Sequence, residues 1–251
     1  METAHITPLD GERPAQYAER VGKGYAEASI QKDKKNKGQF FTPLVISEFM
    51  GRQANPSEKN EVSILDPGCG LAILSCALIE HLVEVSSPYR INLTLYETDK
   101  KIIPFTLDVL YYLKAWCETR KVQIDYHLNE TDFVLDRCEC LDGADTIFGD
   151  MFGQERFDYV TSNPPYFKLA KDDIHTRSCA SIVDGQTNIY ALFMAICAKL
   201  LAEDGQMIFI TPRSFASGRY FQSFRNFLFQ HVSIELIHLF NTRKDTVAKD
   251  E

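Results

Sequence analysis

Asn163-Pro164-Pro165-Tyr166 closes the run Phe157-Asp158-Tyr159-Val160-Thr161-Ser162. That run is rich in aromatic and β-branched residues and reads as a buried strand. Two prolines then end it, because neither can donate to a sheet ladder. An amide side chain, two prolyl carbonyls and a phenol ring are left at the strand's carboxyl edge, where open α/β sheets bind ligands. The Asn163 side-chain oxygen and the Pro164 carbonyl can together accept both hydrogens of a planar –NH2 group, with the Tyr166 ring stacked on the attached π-system. This chemistry suits an amino group carried by an aromatic ring or an amide. The plain structural alternative is a Pro-Pro loop with Asn as a turn residue.

Three more clusters sit where ligand contacts belong. Asp66-Pro67-Gly68-Cys69-Gly70 follows the apolar stretch Val62–Leu65 and opens a helix over Ala72–Val83. Glycines there let the backbone approach a ligand, and the helix start adds N–H groups and a favourable dipole. Leu71-Ala72 stands where the third glycine of a dinucleotide fingerprint would fall, which favours a cofactor without phosphate over a pyrophosphate. A second strand, Ile91–Tyr96, ends in Glu97-Thr98-Asp99, and an acid at that edge can accept from both ribose hydroxyls. The alternating stretch Val122–Leu128 leads to Thr131-Asp132-Phe133, where a carboxylate can accept from an adenine amino group and a ring can pack on its face.

The elements that must position these residues alternate along the chain. A polar N-terminal extension, residues 1–37, carries a helix over Ala15–Gln31. A further helix starts with Thr42 as N-cap and Pro43 in its first position. Lys100–Lys114 and beyond is helical, Asp132–Gln154 is irregular, and Cys138–Gly153 has the look of an inserted loop. A helix over Ile189–Leu201, a strand over Met207–Thr211, a helix over Phe221–Phe229 and a last strand over Ser233–Leu239 complete the pattern. Repeated βα units of this kind predict an α/β fold, doubly wound and Rossmann-like, with a mostly parallel sheet and helices on both faces.

Bulk properties narrow the function classes. The 251 residues suit one α/β domain, and 45% hydrophobic with 25% charged residues is ordinary for a soluble protein. No apolar run approaches the roughly 18 residues that span a bilayer, and the first residues lack signal-peptide character, so a cytoplasmic protein with no membrane partner is expected. A net charge of −8 argues against nonspecific nucleic-acid binding by the whole surface. It leaves room for a local basic groove from Lys32, Lys34, Lys35 and Lys37, or from Arg213, Arg219, Arg225, Arg243 and Lys244. Seven cysteines at irregular spacing argue against a disulfide framework, and without a paired CxxC element no metal is assigned to Cys138 and Cys140.

Taken together, the motifs resemble the S-adenosylmethionine-dependent DNA methyltransferases that modify adenine N6, in the gamma arrangement of the type II restriction-modification kind. The resemblance covers roughly residues 30–245. It rests on Gly38-Gln39-Phe40-Phe41-Thr42-Pro43, the glycine turn, Tyr96-Glu97-Thr98-Asp99, Thr131-Asp132-Phe133, Asn163-Pro164-Pro165-Tyr166-Phe167, Thr187-Asn188-Ile189-Tyr190 and Ile210-Thr211-Pro212-Arg213-Ser214-Phe215. It implies a catalytic domain over 38–245, a polar tail over 246–251, and a target-recognition domain outside this chain. By the same resemblance Phe41, Thr42 and Pro43 close over the methionine part of S-adenosylmethionine. Asp66, Gly68 and Gly70 line its amino-acid and sugar portions, Glu97 holds the ribose, and Asp132 with Phe133 holds the adenine. Asp150-Met151 is the rival for the last role. Asn163, Pro164, Pro165 and Tyr166 are the implied catalytic group, with Asn163 also bordering the cofactor. The implied partner is DNA with a flipped-out adenine, stacked on Tyr166 and on a second ring, Phe221 or alternatively Phe215.

Two other functions fit the same residues. Protein-glutamine and some RNA methyltransferases also use Asn-Pro-Pro-Tyr, since a glutamine amide presents the same planar –NH2. The chain also fits a cofactor-binding fragment or subunit that stays inactive until a separate DNA-specificity domain or subunit joins it.

Overall fold

A computed structural model of the chain describes residues 6–28, 41–141, 155–180, 182, 187–217 and 221–240. In chain order the elements are α1 (Pro14–Ala28), α2 (Leu44–Gly51), β1 (Glu61–Asp66), α3 (Ile73–Val85), β2 (Arg90–Tyr96), α4 (Ile103–Glu118) and β3 (Gln123–Asn129). Then come α5 (Phe133–Arg137), a 3-10 turn over Cys138–Leu141, β4 (Phe157–Ser162), β5 (Lys168–Leu169) and α6 (Ile174–Ser178). The series closes with β6 (Thr187–Asn188), α7 (Ile189–Leu200), β7 (Leu201–Phe209), a 3-10 turn over Arg213–Ala216 and α8 (Gln222–His231).

Five strands form one sheet in the order β3-β2-β1-β4-β7, and every neighbouring pair is parallel. Parallel neighbours require crossovers, which α3, α4 and α7 supply. The path moves outward from β1 to β2 and β3, then returns to β4 on the other side of β1. That reversal opens a crevice at the carboxyl ends of β1 and β4. Side chains alternate between the faces, as the two-residue period of a strand demands. Ile64 and Tyr159 enter the core packed by α1 to α4, while their neighbours Leu65 and Val160 enter the core packed by α5, α7 and α8. The doubly wound sheet that the sequence predicts is therefore present.

Several local expectations are corrected. Ser233–Leu239 forms no regular strand: residues 232–240 are irregular, with Ile234, Leu236, Ile237 and Leu239 exposed. A strand needs a neighbour's N–H and C=O groups, and this segment instead touches the fold through His238 and Phe240, whose rings pack with Phe49. The stretch expected to be irregular after Asp132 begins with α5, because Asp132 accepts from the Leu135 N–H and caps that helix. Thr42 is not the cap of α2. Pro43 takes that position with no side-chain cap, and the Thr42 hydroxyl is engaged elsewhere. The two-stranded antiparallel ribbon of β5 and β6 was not legible from periodicity, since two residues per strand are too few to show one.

Helix α1 is packed into the core through Ala15, Tyr17, Ala18 and Val21. Its start is tied to α3, where buried Glu80 accepts from the Ala15 N–H at 2.7 Å and from Arg13 Nε at 2.8 Å. Helix α2 lies so close to α3 that a Cβ on Gly51 would sit 2.7 Å from the Ala77 carbonyl oxygen. The expectations placed on Gly38–Phe40, the 32–37 lysines, Asp150-Met151, Arg219 and 241–251 lie outside the described residues.

Candidate functional site

A cleft of about 440 Å³ opens at the carboxyl edge of the sheet. The turn after β1 brings Gly68 and Gly70 to it, the end of β2 brings Glu97, and the start of α5 brings Asp132 and Phe133. The segment after β4 brings Asn163, Pro164, Pro165 and Tyr166, and Phe41 closes the side before α2. Residues from these separate stretches of chain thus share one hollow with others from α6 and α7.

The β1 turn is held by the Cys69 N–H donating to the Tyr96 carbonyl at 3.0 Å. Gly70 has φ +52°, a left-handed conformation that glycine adopts without steric cost. Ala72, two residues on, has φ +58°, so alanine occupies a conformation that favours glycine. Gly68 differs: a Cβ there would meet only Phe193, at an ordinary 3.5 Å. No other described residue comes within 4 Å, so the missing side chain leaves room for a ligand against the backbone.

Asp66 lies beneath the turn rather than in the cleft lining, and it is fully buried. Ser75 Oγ donates to its Oδ2 at 2.6 Å, while Oδ1 has no hydrogen-bond partner among the described residues. Burial pushes this carboxyl up to about 7, against the opposing pull of Ser75 and the Gly68 N–H. Glu97 is also raised by burial, although the N–H groups of Asp99, Thr98 and Gly70 favour its charged form. The Asp99 N–H donates to Glu97 Oε1 at 2.7 Å and fixes the carboxylate at the cleft edge. Of the two carboxyls only Glu97 lines the cleft, where its oxygens can accept from hydroxyl donors.

The amide of Asn163 is oriented from behind. Its Nδ2 donates to Thr42 Oγ1 at 3.0 Å, and that leaves Oδ1 as an acceptor. The Tyr166 hydroxyl reaches two acceptors, Asn163 Oδ1 and the Ile210 carbonyl at 2.8 Å. Its single proton serves one at a time, so the Ile210 carbonyl can take the hydroxyl when Oδ1 is wanted by another donor. Phe133 is buried edge-on to Tyr96, with ring centroids 5.1 Å apart, and tilted against Phe193 at 5.2 Å. The Tyr96 hydroxyl donates to Asp136 and accepts from Arg137 Nε, which pins α5 to the end of β2.

Phe221, expected as a second stacking ring, is packed on Tyr190 at 5.9 Å and edge-on to Phe224. It is buried and is not among the residues that line the cleft. Pro43 is likewise not among them. Sequence reasoning missed Phe193, Ile189 and His175, all of which line the cleft. The first two are four residues apart on α7, a spacing that shares one helix face and so carried a signal. His175 carried none, because the contact that links it to the cofactor side, Asp132, lies 43 residues away in sequence.

The arrangement can bind an adenosine-like ligand against Gly68, Glu97 and Phe133, and can present paired acceptors to an amino group beside it. Residues 88–245 match the family described as Eco57I restriction-modification methylase. The chain is 31% identical over 223 residues to the type II methyltransferase M.BsuBI of Bacillus subtilis, covering 88% of this chain and 43% of that protein. It is 28% identical over 213 residues to the type II methyltransferase M.PstI of Providencia stuartii, covering 85% and 40% respectively. The chain therefore spans about two fifths of the length of these curated relatives. A solved structure from Listeria monocytogenes, assigned to the class I S-adenosylmethionine-dependent methyltransferases, aligns with a TM-score of 0.59 at 17% identity. That alignment covers 89% of this chain and 62% of the other, and at this identity it speaks for the fold.

Proposed function

Because this chain belongs to the Eco57I restriction-modification methylase family, we propose that it transfers a methyl group from S-adenosylmethionine to the N6 amino group of adenine in DNA. The observation that carries the reading is the acceptor end of Asn163, oriented by Thr42 and set in the same cleft as Glu97, Gly68 and Phe133. The residues fit the cofactor. Glu97 offers acceptors for a ribose, Phe133 an apolar face for adenine, and Asp132 an acceptor for the adenine amino group. Space over Gly68 admits the backbone-hugging part of the ligand. When bound, the cofactor supplies an electrophilic methyl group on a sulfonium.

The chain's own residues then have defined tasks. A base inside a duplex is paired and out of reach, so adenine must be swung out of the stack into the cleft. Asn163 Oδ1 and the Pro164 carbonyl accept the two N6 hydrogens, which concentrates electron density on the nitrogen. Acceptors aimed at the positive charge developing on N6 bind the transition state better than the ground state. The Tyr166 hydroxyl turns to the Ile210 carbonyl as the base arrives, and its ring stacks on the base, a contact of about 1–3 kcal/mol. Direct displacement depends chiefly on holding amine and methyl about 3 Å apart. We assign the reading of DNA sequence to a specificity domain or subunit that acts together with this cleft.

The test is Asn163→Ala, with methyl transfer to adenine-containing DNA and cofactor binding measured separately. Transfer should fall about 10²–10³-fold while cofactor affinity changes by only a few-fold. Parallel loss of both would assign Asn163 to structure and overturn its role. Identifying the product nucleoside, and offering RNA or a glutamine-bearing peptide in parallel, decides the acceptor class.

A further inference from the structure

Asp132 reaches a second element that its motif does not foretell. Its Oδ1 accepts from the Leu135 N–H at 3.0 Å, which caps α5, and its Oδ2 lies 3.1 Å from His175 Nε2. The other ring nitrogen, His175 Nδ1, lies 2.7 Å from Asp173 Oδ1, and Asp173 also accepts the His175 N–H at 2.9 Å. The imidazole is thus clamped between two carboxylates, one at each ring nitrogen. His175 belongs to α6, in the stretch that follows Tyr166 and Phe167 and is anchored by the β5–β6 ribbon. The Ile189 N–H donates to the Phe167 carbonyl at 3.0 Å and closes that stretch back onto α7.

We propose that His175 is a positioning residue: it holds the Asp132 carboxylate in place for the cofactor's adenine and ties the segment after Asn-Pro-Pro-Tyr to the cofactor side of the cleft. The inference rests on the function proposed above and deepens it. With one partner on each oxygen, the Asp132 carboxylate keeps a lone pair free for an adenine amino group but loses freedom to rotate. Without His175 the carboxylate must be immobilised by the ligand itself, which weakens binding.

The charged groups facing the ring are Asp132, the cap of α5, and Asp173 from its own turn, with Arg177 acting on the Asp173 carboxylate. Asp136 and Arg137 of α5 are engaged instead with Tyr96 and Glu155. Burial alone pulls the imidazole pKa down, but the hydrogen bonds to Asp173 and Asp132 outweigh it and leave it raised above 6.5. The doubly donating, charged ring therefore predominates at pH 6.5 and below and is lost as pH rises through the raised value.

The experiment measures S-adenosylhomocysteine binding by calorimetry from pH 5.5 to 9, for wild type, Asp132→Asn, His175→Ala, His175→Gln and the double variant Asp132→Asn/His175→Ala. His175→Ala should weaken binding about 10-fold at pH 6, the scale of one hydrogen bond to a charged group. His175→Gln, whose amide nitrogen reproduces the Nε2 donor without a titrating charge, should recover most of that affinity and flatten the pH profile. The double variant should be no weaker than the weaker single variant, because the two residues act through one contact. In ligand-free protein, Asp132→Asn should lower the NMR-observed titration of His175 toward 6.5. Wild-type affinity in His175→Ala, or additive losses in the double variant, overturns the inference while leaving the proposed function standing. Failure of wild type to bind the probe at all overturns that function, and the inference with it.

Discussion

Burial of Asp66 should cost the fold a measurable, pH-dependent free energy. The carboxyl sits in the unfolded chain near 3.8 and in the folded chain near 7, with desolvation as the main cause. Below pH 3.8 both states hold the proton and there is no penalty. Between the two values the unfolded state ionises while the folded state keeps its proton, so stability falls by about 1.4 kcal/mol for each pH unit. Above pH 7 the penalty levels off at about 4 kcal/mol, three pH units' worth. Asp66→Asn removes the titration and keeps an oxygen for the Ser75 hydroxyl, which donates at 2.6 Å. The variant's absolute stability depends on how its amide nitrogen is accommodated, but the difference from wild type should grow by about 4 kcal/mol from pH 4 to pH 8. Urea unfolding followed by the fluorescence of Trp116, the single tryptophan and a buried one, gives that difference directly. Two stability profiles that run parallel within about 0.5 kcal/mol would refute the reasoning, since they would show that folding leaves the Asp66 pKa where it was.

Two further outcomes follow from single contacts. Thr42→Val keeps the shape of the side chain but removes the acceptor for Asn163 Nδ2, so the amide loses its orientation. Methyl transfer should fall about 10-fold, with cofactor affinity within two-fold of wild type; equal loss of both would show that Thr42 acts on the cofactor instead. Gly51→Ala forces a Cβ to within 2.7 Å of the Ala77 carbonyl oxygen. Overpacking of about 1–3 kcal/mol should outweigh the roughly 1 kcal/mol helix preference of alanine over glycine. A lower urea midpoint with unchanged slope is expected, and a rise in midpoint would mean α2 moves away from α3 without cost.

The order of the motifs carried the architecture. Alternating apolar strands and amphipathic helices with glycine turns implied a doubly wound parallel sheet, and the strand order bears this out. Ser233–Leu239 alternates like a strand yet forms none, because alternation records which side chains want burial and not whether an edge is there to pair with. Phe221 and Phe133 look alike in sequence as rings beside motifs. Phe133 faces the cleft and Phe221 packs on Tyr190, a difference set by how α8 lies against α7.

The residue types alone pointed to which chemistry was on offer: paired acceptors after β4, a glycine turn after β1, an acid after β2 and a carboxylate after β3. Those assignments follow from strand ends, where local sequence dictates local backbone. Folding settled the contacts between them: Thr42 steering the Asn163 amide, Asp66 sinking below the surface with a raised pKa, and His175 bridging to Asp132. Such contacts join positions tens of residues apart, and burial depends on everything packed around a group. Neither leaves a periodic trace in the chain.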